Sequence, residues 1–159
     1  MPVQVDVQIA ANVAGVPSES AIRGWLEKVI EHVGDDSKRD LEISVMIVDE
    51  DEGRELNRRY RDGDSATNVL SFPAADPELI DPPAELPRAL GDIVICGPVV
   101  AREANAQGKR DADHWAHLLV HGALHLMGYD HESQSDAEAM ETLEASILAT
   151  GGVENPYQS

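Results

Sequence analysis

Apolar positions along the chain recur with two periods, and the switches between them predict its elements. Residues 3–9 alternate, with Val3, Val5, Val7 and Ile9 set apart by Gln4, Asp6 and Gln8. A period of two predicts a half-buried strand. Pro17-Ser18-Glu19 opens a helical stretch. In it Ile22, Trp25, Leu26, Val29, Ile30 and Val33 fall at helical spacing, and Gly34 stops it. Residues 41–48 (LEISVMIV) read as a more fully buried strand. Asp49 and Glu52 are spaced as a capping box for a helix that runs to about Tyr60. Residues 67–72 form a short third strand that Pro73 ends. Residues 73–89 are a proline-rich acidic loop, and a loop of that length is functional or mobile, here expected to be mobile.

Asp92 to Cys96 is a fourth strand, and Gly97-Pro98 starts a helix to about Gln107. Asp111 or Asp113 is expected to cap the next helix, which reaches Met127 and stops at Gly128. A last helix spans about Ser133 to Ala149, with Met140, Leu143, Ile147 and Leu148 on one side, and Gly151-Gly152 ends it. The order is strand, helix, strand, helix, two strands, three helices. It predicts an α/β (α+β) fold with a mixed sheet of about four strands packed with about five helices. No repeat or change of composition divides the chain. Residues 1–152 are expected to be a single metallohydrolase-like domain, and residues 153–159 a flexible tail.

Length agrees with one domain, at 159 residues. No apolar run approaches the roughly 20 residues of a membrane span, and the N-terminus lacks the pattern of a signal peptide. The single cysteine, Cys96, excludes an internal disulfide and fits a reducing compartment, so a cytoplasmic protein with no membrane partner is expected. Charge changes the picture more. Thirty acidic residues face twelve basic ones, for a formal net charge of -18 at pH 7. Such a surface repels nucleic acid and anionic membrane on average and suits a basic protein partner, unless it serves solubility alone.

The chemistry concentrates between positions 114 and 131, which hold five of the six histidines. His121 and His125 are four apart, so a helix brings their rings to one face. That is the spacing of the paired helical ligands of zinc hydrolases. Gly128 stands where the chain must turn, and the turn can return His131 to the same ion. Three neutral imidazoles leave a coordination position open, the arrangement of a catalytic zinc. The pattern resembles the metzincin peptidase signature, with one departure: Gly122 replaces the glutamate that serves there as general base. A closed structural site with Cys96 as fourth ligand is the alternative. His114 falls almost in line with His121 two turns earlier, where it could line the site or touch substrate. His117 is placed for a hydrogen bond behind the ligands. Asp130, beside His131, could orient a ligand or serve as a base. For each of these three, plain packing or a turn is the competing reading.

Arg54, Arg58, Arg59 and Arg61 fall within eight positions of an otherwise acidic chain. Pairs with Glu55 account for Arg58 and Arg59 on a solvated helix face. Arg61, at the helix end, is freer to reach a phosphate with its planar fork.

Three blocks together resemble the YbeY family: Leu56-Asn57 with Tyr60-Arg61, Asp64 and Thr67-Asn68-Val69-Leu70-Ser71-Phe72-Pro73; Leu90-Gly91-Asp92-Ile93-Val94-Ile95-Cys96; and the run from His117 to His131. The resemblance implies a zinc-dependent endoribonuclease with one Zn2+ per chain on His121, His125 and His131. It implies that Arg61 acts on the RNA phosphate. It also implies single-stranded ribosomal RNA as substrate, in maturation of the small-subunit rRNA 3′ end and in ribosome quality control. The small subunit, basic ribosomal proteins and a ribosome-associated GTPase are the implied partners. The family usually has lysine where Gly63 stands here, and often proline where Ala66 stands. Two other classes stay open at this point: a metallopeptidase without its glutamate, and a non-catalytic ribosome-assembly factor with a structural zinc.

Overall fold

Alternation and helical spacing become one sheet and five helices in the computed structural model, which describes residues 3–9, 15–34, 41–61, 68–73, 88–129 and 133–157. The elements are β1 (Val3–Ile9), α1 (Glu19–Val33), β2 (Leu41–Val48), α2 (Glu50–Arg61), β3 (Val69–Pro73), β4 (Arg88–Cys96), α3 (Gly97–Gln107), α4 (Asp111–Leu126) and α5 (Gln134–Thr150). The sheet order is β1-β2-β4-β3. β1, β2 and β4 run parallel, and β3 is antiparallel to β4. The expected α/β architecture, with a mixed four-stranded sheet in a single domain, is what forms.

The sheet separates two unequal cores. Leu41, Ile43, Val45 and Ile47 of β2 join Ile93 and Ile95 of β4 on one face. There they meet Ile22, Leu26 and Val29 of α1, Leu119 and Ala123 of α4, and Met140 and Ile147 of α5. The opposite face gathers Val48, Leu70, Val94, Cys96 and Val99, with Leu56 of α2 packed over them.

β4 starts four residues earlier than the sequence suggested, because a bulge interrupts its alternation. Glu42 pairs with Ala89 but Ile43 with Gly91, so Leu90 is the extra residue. An extra residue resets the two-residue parity. Leu90 therefore packs in the larger core although Val94 and Cys96, also at even positions, face the smaller one. Gly91 makes this possible: its φ is 140°, and a Cβ there would stand 2.3 Å from the Phe72 carbonyl oxygen.

The helix ends follow local chemistry. Asp49 Oδ1 accepts the Glu52 N–H at 2.9 Å, and Ser18 and Ser133 cap α1 and α5 through their hydroxyls. At α4 the expectation fails. The N-cap is Arg110, with no side-chain cap, and Asp111 and Asp113 lie in the first turn. There they favour the helix dipole, and Asp113 pairs with the Arg110 guanidinium at 3.0 Å. Helix α4 ends at Leu126, and Gly128 takes the left-handed turn with φ of 100°. The loop expected from Pro73 lies outside the described residues from 74 to 87. Beyond α5, Val153 packs on the core and the Tyr157 hydroxyl bonds Glu144. Among the described residues no helix is long and apolar enough to cross a membrane.

Candidate metal centre

Helix α4 supplies the site because its two sides differ. One side is glycine, alanine and leucine, and it lies on the sheet and α1. The other carries His114, His117, His121 and His125 in a ladder. Ring centroids are 6.2 Å apart for His114 and His117, 6.2 Å for His117 and His121, and 4.6 Å for His121 and His125.

At the last step of the ladder, the Nε2 atoms of His121 and His125 stand 3.1 Å apart. Behind His121 lies Glu144 of α5, fully buried. Its Oε1 accepts from His121 Nδ1 at 2.5 Å. Its Oε2 accepts from His117 Nε2 at 3.1 Å and from the Tyr157 hydroxyl. Burial works to raise the Glu144 pKa, but the hydrogen bonds from His117, His121 and Tyr157 outweigh it and hold the carboxyl down at about 2. Burial and the neighbouring Glu144 charge push the Tyr157 phenol in the opposite direction, well above its ordinary range. An ionised carboxylate can only accept, so His121 carries its proton on Nδ1. The Nε2 lone pair then faces His125.

That geometry suits a cation. Two imidazole nitrogens sharing a tetrahedral zinc stand roughly 3.3 Å apart. His117, His121 and Glu144 also bring one donor atom each to within 4.8 Å of one another, a group that could hold a metal ion. The 2.5 Å separation of Glu144 and His121 Nδ1 is a hydrogen bond, which leaves His121 Nε2 on the far side of the ring from the carboxylate.

The other predicted residues divide. Asp130 and His131 lie outside the described residues, as does the Arg61 side chain, although Arg61 closes α2. His114 is 4% exposed, and its Nε2 lies 3.0 Å from Glu103 Oε1. The same oxygen accepts from Asn68 Nδ2 at 3.0 Å. His117 is hydrogen-bonded to Glu144, the carboxylate that also meets His121. Cys96 lies in the smaller core across the sheet from the histidine ladder, which removes it as a fourth ligand. Arg58 and Arg59 both pair with Glu55, as their spacing predicts. Gly122 explains its own departure from the metzincin pattern. A Cβ there would meet Ile93 Cγ2 at 3.1 Å and Ser71 Oγ at 3.3 Å. Position 122 faces the sheet, with no room for a glutamate.

Sequence reasoning missed Glu144 and Tyr157. The signal for Glu144 was present: it is an acid four residues after Met140 and three before Ile147, on the stripe that α5 buries. A buried acid needs a partner. Nothing in the sequence pattern announces Tyr157.

Comparison with known proteins agrees with this architecture. The model of the family described as endoribonuclease YbeY matches residues 7–152. A Halorhodospira halophila protein named endoribonuclease YbeY is 57% identical over 145 residues, covering 91% of this chain and 90% of the relative. A Xanthomonas axonopodis pv. citri protein of the same name is 49% identical, covering 98% of this chain and 95% of the relative. The solution structure of TM1509 from Thermotoga maritima shares the fold, with a TM-score of 0.57 at 23% identity, covering 98% of this chain and 100% of that one. With a family match across nearly its whole length, the chain is a member of the endoribonuclease YbeY family.

Proposed function

We propose that this chain is a zinc-dependent endoribonuclease for single-stranded RNA, acting in 3′-end maturation of small-subunit ribosomal RNA and in ribosome quality control. The observation that carries the metal reading is the pair of Nε2 atoms 3.1 Å apart, one of them backed by a buried carboxylate. His121 and His125 would hold the ion together with His131, three residues beyond Gly128 in the sequence. A bound zinc would supply Lewis acidity toward a phosphoryl oxygen or a water. Arg61 would steady charge on the phosphate. His114 has its Nε2 committed to Glu103, which favours Asp130 over it as the proton acceptor.

The formal charge of -18 supports delivery of the RNA by a basic partner. A nuclease working alone would neutralise phosphates with its own cations. The ribosomal small subunit and its basic proteins fit that role, and a ribosome-associated GTPase fits the same setting, a reducing cytoplasm. The peptidase reading is disfavoured, because position 122 faces the sheet and cannot carry a glutamate into the site.

The test compares wild type with His125→Ala, purified identically, on a labelled single-stranded RNA and on isolated small subunits with zinc present. Cleavage of either substrate by the wild type alone supports the nuclease. Equal cleavage by both proteins, or cleavage of neither substrate, refutes it. Cleavage confined to the subunit supports delivery by the ribosome.

A further inference from the structure

The segment after α5 is a built connection to the metal centre. The Gly151 and Val153 N–H groups both donate to the Leu148 carbonyl, at 3.0 and 3.1 Å. Gly152 takes φ of 80° and reverses the chain. A Cβ on Gly151 would stand 2.3 Å from the Trp25 ring, so the reversal is seated on α1. Val153 packs into the core. Asn155 Oδ1 then accepts the Tyr157 N–H at 2.9 Å, a local turn that sets where the tyrosine begins. The Tyr157 ring stands edge-on to His117, with centroids 5.4 Å apart at 88°. Tyr157 is 44% exposed, while Glu144, whose carboxylate its hydroxyl reaches, is 0% exposed.

We propose that Glu144, steadied by Tyr157, is the positioning residue of the metal centre: it fixes His121 in the Nδ1–H tautomer and so aims Nε2 at the ion. The inference rests on the metal site proposed above. Its logic is an allocation of lone pairs. His117 and Tyr157 both occupy Oε2, which leaves Oε1 to His121 alone. A carboxylate behind a ligating imidazole fixes its orientation and raises its basicity. Neither Glu144 nor Tyr157 touches the reacting RNA in this scheme.

The test has two readouts besides activity. One is zinc affinity, by competition with a chromophoric chelator. The other is the His121 tautomer in metal-free protein, read from its ring 15N shifts. Glu144→Gln keeps the volume and removes the charge. It is expected to weaken zinc about 10- to 100-fold and to mix the two His121 tautomers. Tyr157→Phe keeps the ring and loses one hydrogen bond, for an expected loss of about two- to tenfold. If Glu144→Gln fails to fold, Tyr157→Phe decides. Wild-type affinity with an unchanged tautomer in the folded variants overturns the inference. If His125→Ala abolishes zinc binding in the same assay, the metal site stands and only the positioning role falls. A wild type that binds no zinc, or a His125→Ala that keeps it, overturns both.

Discussion

Replacing Gly122 by glutamate would restore the metzincin pattern in the sequence, and the structure predicts a destabilised protein instead of a peptidase. Helix α4 meets the sheet at this residue. A Cβ would lie 3.1 Å from Ile93 Cγ2, 3.3 Å from Ser71 Oγ and 3.4 Å from Val69 Cγ2. The Ser71 hydroxyl also donates to the Gly122 carbonyl at 3.1 Å, which holds the helix close. For alanine, overpacking costs about 1–3 kcal/mol, and the better helix propensity returns about 1 kcal/mol. The net loss is about 0–2 kcal/mol, a fall in Tm of at most about 8 °C for a domain of this size. Glutamate adds a longer chain and a carboxylate aimed at Ile93 and Val69. Burying a charge there costs several kcal/mol more, so the total loss exceeds about 4 kcal/mol from a stability of roughly 5–15 kcal/mol. Urea unfolding followed by circular dichroism gives both numbers. A Gly122→Glu protein with the wild-type midpoint, or one that gains peptide hydrolysis, would refute the packing argument.

Two further outcomes follow from the strand β4. Gly91→Ala should cost more than about 3 kcal/mol, because the new methyl group meets the Phe72 carbonyl oxygen and the φ of 140° is strained for any other residue; a urea midpoint unchanged from wild type would contradict it. Cys96 is 1% exposed and burial pushes its thiol pKa up, so a disulfide reagent should label the native protein on the order of 100-fold more slowly than an exposed thiol; rapid labelling without denaturant would place Cys96 elsewhere.

Legibility in the sequence tracked the range of the interaction. β1, β2, α1 and α3 were readable because alternation, apolar stripes, Ser18 and Pro98 are local signals. The start of β4 was not, because a bulge breaks the period on which such reading depends. The cap of α4 was misread for a related reason. Aspartates suit both the cap and the first turn, and only the backbone at Arg110 decides between them. The same rule divides the site. His121 and His125 were legible because four residues is one helical turn. Glu144 and Tyr157 reach the site from 23 and 36 positions after His121, through the packing of α5 and the turn that follows it. No local period encodes such a contact.

The placement of the histidines on α4 also decides how rigid they can be. This helix packs against α1, α3, α5, β3 and β4, and ten of its sixteen residues are buried. Side chains in such a core sit in single rotamers at crystal-like density. His121 and His125 therefore leave a backbone that cannot shift without disturbing both the sheet at Gly122 and α5 at Glu144. Supporting groups on rigid elements are what hold a site to its productive geometry. The residue that seats α4 on the sheet must be small, so the rigidity that holds the histidines also keeps a glutamate out of position 122.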